Sequence, residues 1–510
     1  MSNTFYITTP IYYPNGEPHL GSVYTTVICD AVARYHRLQG EPTYFLTGTD
    51  EHGQKIAKTA EAEGIAPQAL VDRYSSIFEN LWKELKISND DFLRTTQARH
   101  KDAVTKIVEK MVNKGDIYLG SYEGWYDEGQ EQFVTETEAK NSEYKSVISG
   151  KPLTRYKEPT YFFRLSKYVP AVISYIEQHD DFLLPQNRRN EVLSKLREGV
   201  ADLSVSRATL KWGIAMPHDP SHVLYVWIDA LTNYITALGY GTADDSLFKK
   251  FWPGTHVIGK DILWFHAVYW PAMLLSLDLP FPKQIAAHGW WTADGKKMSK
   301  SLGNVIDLNK IRAVSTAHSL DAVRYYLLRA APFGSDLDWS EQDFSRSFNE
   351  LANVLGNLLN RTLNMINKYR SGVLPAAKPS EPIDHDLITR TRQLTGAISN
   401  AYANWQLQDA ALLPIELARA ANGYIDATRP FSLAKDPAQS ERLDTVLNLS
   451  AQATKTALAA LLPILPEKAA AGLQQLNVDL NAKPLSQLLS DDLPTGHQMN
   501  PGTPLFPRVV

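Results

Sequence analysis

One cysteine, Cys29, stands in a chain of 510 residues. That excludes an intramolecular disulfide and any zinc site built from paired cysteines, and it fits a reducing compartment. No apolar run reaches the roughly 20 residues a membrane span requires. Met1-Ser2-Asn3-Thr4-Phe5 enters a strand-like run without the basic and apolar segments of a signal peptide. The expectation is a cytoplasmic chain that does not touch a membrane. An excess of basic charge is missing too: the formal net charge is −4, so any contact with nucleic acid must be local. Candidate clusters are Arg188-Arg189 with Lys195 and Arg197, Lys296-Lys297 with Lys300, and Arg361 with Lys368 and Arg370. For the first, solvated surface charge is the better reading. Internal repeats and low-complexity tracts are also absent.

What is present is the composition of a soluble globular protein, with 44% apolar and 21% charged residues, on a chain too long for one core. Four short apolar runs read as buried strands: Phe5-Tyr6-Ile7, Tyr44-Phe45-Leu46, His256-Val257-Ile258 and Gln284-Ile285-Ala286-Ala287. Helix-period segments lie between them. The first has apolar positions Val23, Val27, Ile28, Ala31, Tyr35 and Leu38 and stops at Gly40. The fold class expected is α/β, a doubly wound parallel sheet with its chemistry beyond the carboxyl ends of the strands. A stretch rich in Glu, Lys and aromatics interrupts the sheet. From about residue 346 amphipathic helices take over: Leu351, Val354, Leu355, Leu358, Leu359 and Leu363 form one face, and Ala410 to Ala421 and Ala451 to Leu462 continue the pattern. Ser371 to Pro382 reads as a loop between helices.

Two motifs carry phosphate chemistry. His19-Leu20-Gly21-Ser22 opens the first helix, whose free N–H groups and positive dipole end favour an anion. Gly21 lets a nucleotide approach the backbone, and His19 can donate to a phosphate oxygen as charge builds up; the plainer alternative is a histidine that caps its helix. Far downstream, Lys297-Met298-Ser299-Lys300-Ser301 puts two lysines and two hydroxyls in one short loop. Together these motifs resemble the paired signatures of class I aminoacyl-tRNA synthetases.

Further segments narrow the resemblance. Thr9-Pro10-Ile11-Tyr12-Tyr13-Pro14-Asn15-Gly16, Gly48-Thr49-Asp50-Glu51-His52-Gly53, Tyr225-Val226-Trp227-Ile228-Asp229-Ala230, Ile258-Gly259-Lys260-Asp261-Ile262 with Phe265-His266, and His288-Gly289-Trp290 look like the methionyl-tRNA synthetases over nearly the whole chain. The resemblance implies ATP-dependent activation of L-methionine to an adenylate and its transfer to tRNA(Met), for initiation and elongation. It implies Asp50 for the ammonium group, with Arg207 paired near it. Ile11, Tyr13, Trp227, Ala230, Leu231, Tyr234, Ile262 and His266 fall at the family's methionine-pocket positions, where a thioether wants aromatic faces and few polar groups. Gly21, Gly259, Lys260, Asp261, His288, Trp291 and Lys300 fall at ATP-binding positions. His19, Ser22, Lys297 and Lys300 would be catalytic, and magnesium would arrive with ATP rather than occupy a protein cage.

The implied organisation is a Rossmann-like catalytic domain in two halves, 1–115 and 216–285, split by a connective insertion at 116–215. A stem-contact region with the lysine loop follows at 286–345, then an all-α anticodon-binding bundle at 346–510 whose tail, Gly502 to Arg508, folds back. Asn357, Arg361 and Phe431 match anticodon-contacting positions, Phe431 standing where well-known relatives place tryptophan. No dimerisation module follows, which favours a monomer.

Three departures from the family pattern stand out. Ser22 replaces a second histidine, Leu231 stands where many relatives have proline, and the insertion lacks the zinc-binding cysteines of many relatives, so no structural zinc is expected. The insertion is also too small for the editing domain of the leucine, isoleucine and valine enzymes. Rival readings are a cysteine-specific synthetase, which would need a zinc site, a catalytically silent tRNA-binding protein, and a small nucleotidyltransferase, which would not explain the bundle.

Overall fold

A computed structural model describes residues 4–128, 132–134, 136–293, 296–297, 306–480 and 483–507. The chain forms two compact units, each discontinuous in sequence: Thr4–Pro18 with Tyr44–His288, and His19–Thr43 with Gly289–Val510.

The first unit is built on six strands, β1 (Phe5–Thr8), β2 (Thr43–Thr49), β3 (Asp91–Arg94), β4 (Leu183–Leu184), β5 (Thr255–Gly259) and β6 (Gln284–His288), in the order β3-β2-β1-β5-β6-β4. The pairs β2–β3, β1–β5, β5–β6 and β6–β4 run parallel. Every residue of β1 and β5 is buried, which is why these strands read as unbroken apolar runs rather than alternating ones. The order reverses between β1 and β5, and doubly wound sheets take ligands beyond the strand ends at such a switch. The register sets Gly259 opposite His288, so the ends of β5 and β6 open side by side. All four expected strands are present. The edge strands β3 and β4 are additional; a two-residue strand has no period to read.

Helix α1 (Leu20–Leu38) joins β1 to β2 in sequence, and helix α2 (Val226–Thr236) precedes β5. Within the first unit, strands Gln132–Val134, Ile117–Asp127, Thr154–Phe163 and Leu203–Ser204 make an antiparallel sheet in that spatial order. A smaller antiparallel sheet of Ala215–Met216, Asp219–Leu224 and Ser206–Arg207 follows it. The surface reading of the Arg188-Arg189 pair fails at Arg189. Its guanidinium is buried and donates to the Ile176 carbonyl at 3.1 and 2.9 Å, closing the C-terminal turn of helix Leu165–Gln178, where exposed carbonyls need donors.

The second unit holds α1, a small sheet of Lys296–Lys297, Trp291–Ala293 and Leu337–Trp339, and the C-terminal helices. Among these are α3 (Asn357–Arg370), α4 (Pro382–Ala403), α5 (Leu407–Thr428) and α6 (Ser440–Leu461). From Leu443 onward all but one residue of α6 is buried, its alanines allowing α4 and α5 to pack close. Leu351, Leu355, Leu358, Leu359 and Leu363 are fully buried, as their spacing predicts. The loop ends where Pro382 opens α4 behind a reciprocal cap between Glu381 and Asp384. Leu505 and Phe506 are buried, Phe506 edge-on to Phe348 at 6.3 Å.

Helix α1 is fixed in this unit by polar as well as apolar contacts. Asp30 and Arg324, both buried, form an ion pair at 2.7 Å, and Arg324 also donates to the Ile464 carbonyl at 2.9 Å. Tyr35 stacks on Tyr402 with ring centres 4.0 Å apart. Removing one member of a buried pair strands the other charge. Arg324→Leu should therefore lower the unfolding free energy by about 3 kcal/mol in urea denaturation, while a loss under about 1 kcal/mol would show that Arg34, also bonded to Asp30, suffices.

Candidate active site

The carboxyl edge of the sheet in the first unit gathers most of the expected residues. Beyond β1 the chain runs beside β2: the Thr9 N–H donates to the Leu46 carbonyl at 3.1 Å, Tyr12 to Gly48 at 3.0 Å, and Asp50 back to Tyr12 at 2.9 Å. This ladder places Ile11 and Tyr13, both half-buried, next to the end of β2, where Asp50 is only 3% exposed. Tyr12 stacks on Phe78 at 5.5 Å, and the Lys55 ammonium lies 5.0 Å from the Tyr13 ring centre.

The two residues after Asp50 are also buried and ionisable, and each has a charged or ionisable partner. Glu51 receives a two-pronged bond from Arg94 at 2.6 and 3.1 Å, with Thr49 and Ser75 hydroxyls at 2.8 and 2.5 Å and the Thr96 hydroxyl as well. His52 donates through Nδ1 to Asp229 at 2.6 Å. The other Asp229 oxygen accepts from His100 Nε2 at 2.7 Å, and His100 Nδ1 meets the Thr236 hydroxyl at 2.7 Å. Burial alone would raise the Asp229 pKa, but the two imidazoles outweigh it and hold the carboxylate down to about 2.

Helix α2 presents an aromatic wall. Trp227 stacks face to face on Phe265 at 3.8 Å and meets His266 edge-on at 6.0 Å. Ala230, Leu231 and Tyr234 are buried along the same helix. His266 Nδ1 lies 2.9 Å from the Ile262 carbonyl and Nε2 lies 2.7 Å from the Tyr234 hydroxyl. A carbonyl only accepts, so Nδ1 carries the proton and Nε2 accepts from Tyr234. Burial drives the His266 pKa down to about 4, against smaller opposing effects of the Ile262 carbonyl and Asp261. His256, stacked on Tyr234 at 3.9 Å, is likewise held well below the ordinary range by burial. The wall is therefore aromatic and uncharged at neutral pH.

Past β5, a side chain at Gly259 would meet the Asp261 carboxylate at 2.6 Å and push it aside. Lys260 and Asp261 form the turn that follows, and His288 ends β6 alongside. Arg207 is buried between the rings of Tyr225 and Tyr126, at 4.5 and 5.4 Å, and donates to the Ser206 carbonyl at 2.7 Å and the Ser204 hydroxyl at 3.0 Å.

In the second unit, His19 caps α1, its Nδ1 accepting from the Gly21 N–H at 3.1 Å. A side chain on Gly21 would strike the His19 ring at 2.9 Å. Capping, the plainer alternative, is thus what the ring does here, and Ser22 is buried behind it. The Leu20 N–H donates to the Ile306 carbonyl at 3.2 Å, and His19 bridges Asp307, so the residue after the lysine loop's far end is joined to the start of α1. Trp291 is buried, edge-on to Tyr24 at 5.6 Å. Lys297 pairs with Thr292 through its backbone; Met298 through Ser301, and with them Lys300, lie outside the described residues. In the bundle, Asn357 is exposed, Arg361 is bonded to Asp426 at 2.5 Å and Asn422 at 3.2 Å, and Phe431 is 50% exposed.

Sequence reasoning quoted His52 and Asp229 within motifs but gave them no part, and it passed over His100 and Thr236. Only the ionisable run Asp50-Glu51-His52 against a strand end hinted that partners were needed. Among the described residues, no group of three or more His, Cys, Asp or Glu side chains is arranged to hold a metal ion, and no helix is long and apolar enough to cross a membrane.

The sheet that switches order between β1 and β5, with the sequence motifs at His19 and Lys297-Met298-Ser299-Lys300-Ser301, points to the class I tRNA synthetases. The family model for tRNA synthetases class I (M) matches residues 5–143 and 138–363. The methionine–tRNA ligase of Bacillus subtilis is 45% identical over 522 residues, covering 100% of this chain and 78% of its own, and that of Caldanaerobacter subterraneus is 45% identical over 511 residues, covering 100% and 79%. The structure of Mycobacterium tuberculosis methionyl-tRNA synthetase in complex with methionyl-adenylate superposes with a TM-score of 0.94 at 38% identity, covering 99% of this chain and 100% of that one. The chain belongs to the methionine–tRNA ligase family, and it is an aminoacyl-tRNA ligase that activates methionine and charges tRNA.

The neutral state of His266 has a pH consequence. Its folded pKa of about 4 lies below the ordinary 6.5, so the unfolded chain takes up the proton first. The stabilisation is complete above pH 6.5 and is lost as pH falls toward 4. Between pH 7 and 5, wild type should lose about 2 kcal/mol more unfolding free energy than His266→Gln, measured by urea titration; equal losses would mean that the imidazole is not held neutral.

Proposed function

We propose that Asp50 receives the methionine ammonium group, that Ile11, Tyr13, Trp227, Ala230, Leu231, Tyr234, Ile262 and His266 enclose the thioether, and that Arg207 helps hold the acidic end. The observation that carries this reading is the 2.6 Å bond from His52 to Asp229. It joins the loop bearing Asp50 to the helix bearing the aromatic wall, so one carboxylate and one uncharged apolar surface adjoin. A zwitterion with an unbranched, polarizable side chain wants both. Because Nε2 of His266 accepts the hydrogen bond of the Tyr234 hydroxyl, the hydroxyl oxygen is left as an acceptor and a weakly polar edge, compatible with sulfur and poor for a charged group.

The methionine carboxylate attacks the α-phosphorus of ATP in line and pyrophosphate leaves; a ribose hydroxyl of the 3′-terminal adenosine of tRNA then attacks the adenylate's carbonyl carbon, and AMP leaves. No protein nucleophile is required, and Cys29, buried with its thiol pKa raised by burial, takes no part. Gly259, Lys260, Asp261 and His288 receive the nucleoside. His19, Gly21 and Ser22 offer a helix start to the phosphates, Trp291 lies by the base, and Lys297 and Lys300 neutralise departing pyrophosphate. For His19 this requires its ring to leave the Gly21 N–H or to use its other nitrogen. Magnesium accompanies ATP, and structural zinc plays no part in this reading.

We assign 1–115 and 216–285 to the catalytic domain, 116–215 to a connective insertion, 286–345 to stem contact and 346–510 to anticodon binding, in a cytoplasmic monomer serving initiator and elongator tRNA(Met). An aromatic ring half-exposed at Phe431 is suited to stack on an unpaired base. Arg361 would have to exchange its partner Asp426 for RNA.

Amino-acid-dependent ATP–pyrophosphate exchange tests the reading, with methionine beside leucine, isoleucine, valine and cysteine. Exchange should be confined to methionine and should fall by at least about 100-fold in Lys300→Ala with little change in methionine KM; exchange with none of the five would favour a silent tRNA-binding protein. Phe431→Ala should lower kcat/KM for tRNA charging by about 10- to 100-fold while leaving exchange unchanged. Equal charging by both proteins would remove Phe431 from the anticodon site.

A further inference from the structure

Asp229 sits at the meeting of three elements. It lies in the first turn of α2, and its two oxygens take N–H groups from His52, two residues beyond Asp50, and from His100, on helix Ala98–Asn113. His100 reaches Thr236 with its other nitrogen, so one imidazole grips α2 at positions seven residues apart, about two turns of one face. Trp227 and Leu231 lie two residues from Asp229, and Tyr234 two from Thr236, which at about 100° per residue puts them on the opposite face, with Ala230 on the flank between. The network holds the back of the helix whose front is the aromatic wall.

The Asp50 side of this link is equally fixed. Trp212 donates to the Glu51 carbonyl at 2.6 Å and its ring lies edge-on to His52 at 5.5 Å, while Glu51 is locked by Arg94 and Ser75. Neither His52 nor His100 lies at a position read as touching methionine. A purely structural role would need the carboxylate satisfied, but not satisfied from the loop that carries the ammonium site.

We propose that His52, Asp229 and His100 act as a ruler, fixing the separation between the Asp50 carboxylate and the wall of α2 and so setting the side-chain length the enzyme accepts. The proposal rests on the reading of Asp50 and α2 as the methionine site. The three are positioning residues. Loosening them lets α2 shift against the loop, and shifts of about 1 Å cost as much as 100-fold where geometry matters, whereas one methylene in a well-fitted pocket is worth about 10- to 200-fold.

The test is pyrophosphate exchange with methionine, ethionine (one methylene longer) and norleucine (equal length, no sulfur), normalised to active sites by burst titration, in wild type, Asp229→Asn, His52→Asn and His52→Leu. Asn at position 52 can place an N–H where Nδ1 donates; Leu cannot. Asp229→Asn and His52→Leu should raise methionine KM about tenfold with kcat within about threefold, reduce the preference for methionine over ethionine at least about fivefold, and leave the methionine-to-norleucine ratio as it was. His52→Asn should recover most of that preference. Methionine KM and the methionine-to-ethionine ratio within twofold of wild type, in either folded variant, would overturn the ruler, as would equal defects in His52→Asn and His52→Leu. Should Asp229→Asn not fold, the two His52 variants decide alone. Wild type without methionine-dependent exchange would instead sink the assignment of the site itself.

Discussion

The first unit depends on a single expense: three consecutive ionisable residues, Asp50, Glu51 and His52, are buried at the end of β2, with exposures of 3%, 0% and 5%. An unpaired charge in such a place costs several kcal/mol, so the surrounding elements are committed to supplying partners. The last residue of β3, Arg94, takes Glu51. The first turn of α2 supplies Asp229 to His52. β3, α2 and the loop are thereby tied to one another, and a shift in any of them would strand a charge.

The same economy explains why the pocket wall is neutral. Among the described residues no carboxylate is bonded to the buried His256 or His266; their partners are hydroxyls, a carbonyl and an indole N–H, with Trp270 donating to His256 Nε2 at 3.2 Å and Nδ1 donating to the Thr8 hydroxyl at 2.9 Å. Burial therefore wins and both rings stay uncharged. His52 and His100 share a carboxylate instead. Two pairs of histidines in one unit are thus given opposite work by the chemistry of their partners, one pair shaping an apolar surface and the other bracing it.

Much of this was legible in the chain. The four central strands are apolar on both faces and announce themselves, α1 ends at Gly40 with φ of +83° where a left-handed residue is needed, and the spacing of leucines after residue 350 marks the bundle. The edge strands were not legible because β4 is two residues long and β3, Asp91–Arg94, is closed at both ends by charged residues rather than being an apolar run. Arg189 resembled surface charge because nothing local shows that it folds back onto a helix end 13 residues earlier. His100 and Thr236 escaped because their contact spans 136 positions, and no property of either residue points to the other. The candidate site was read by resemblance more than by physics: Asp50 and the lysine loop have plain chemical reasons, whereas Ile11 or Leu231 would pass for ordinary core.

The central claim is that one carboxylate and one uncharged aromatic wall, fixed to each other, receive methionine. A crystal structure of the full chain with L-methionine bound tests it most directly. The account predicts the ammonium group within hydrogen-bond distance of the Asp50 carboxylate, and the sulfur against Trp227 and Tyr234 with His266 still bonded to the Ile262 carbonyl. Methionine bound elsewhere, or with its ammonium group paired to a different residue and its side chain away from α2, would contradict it.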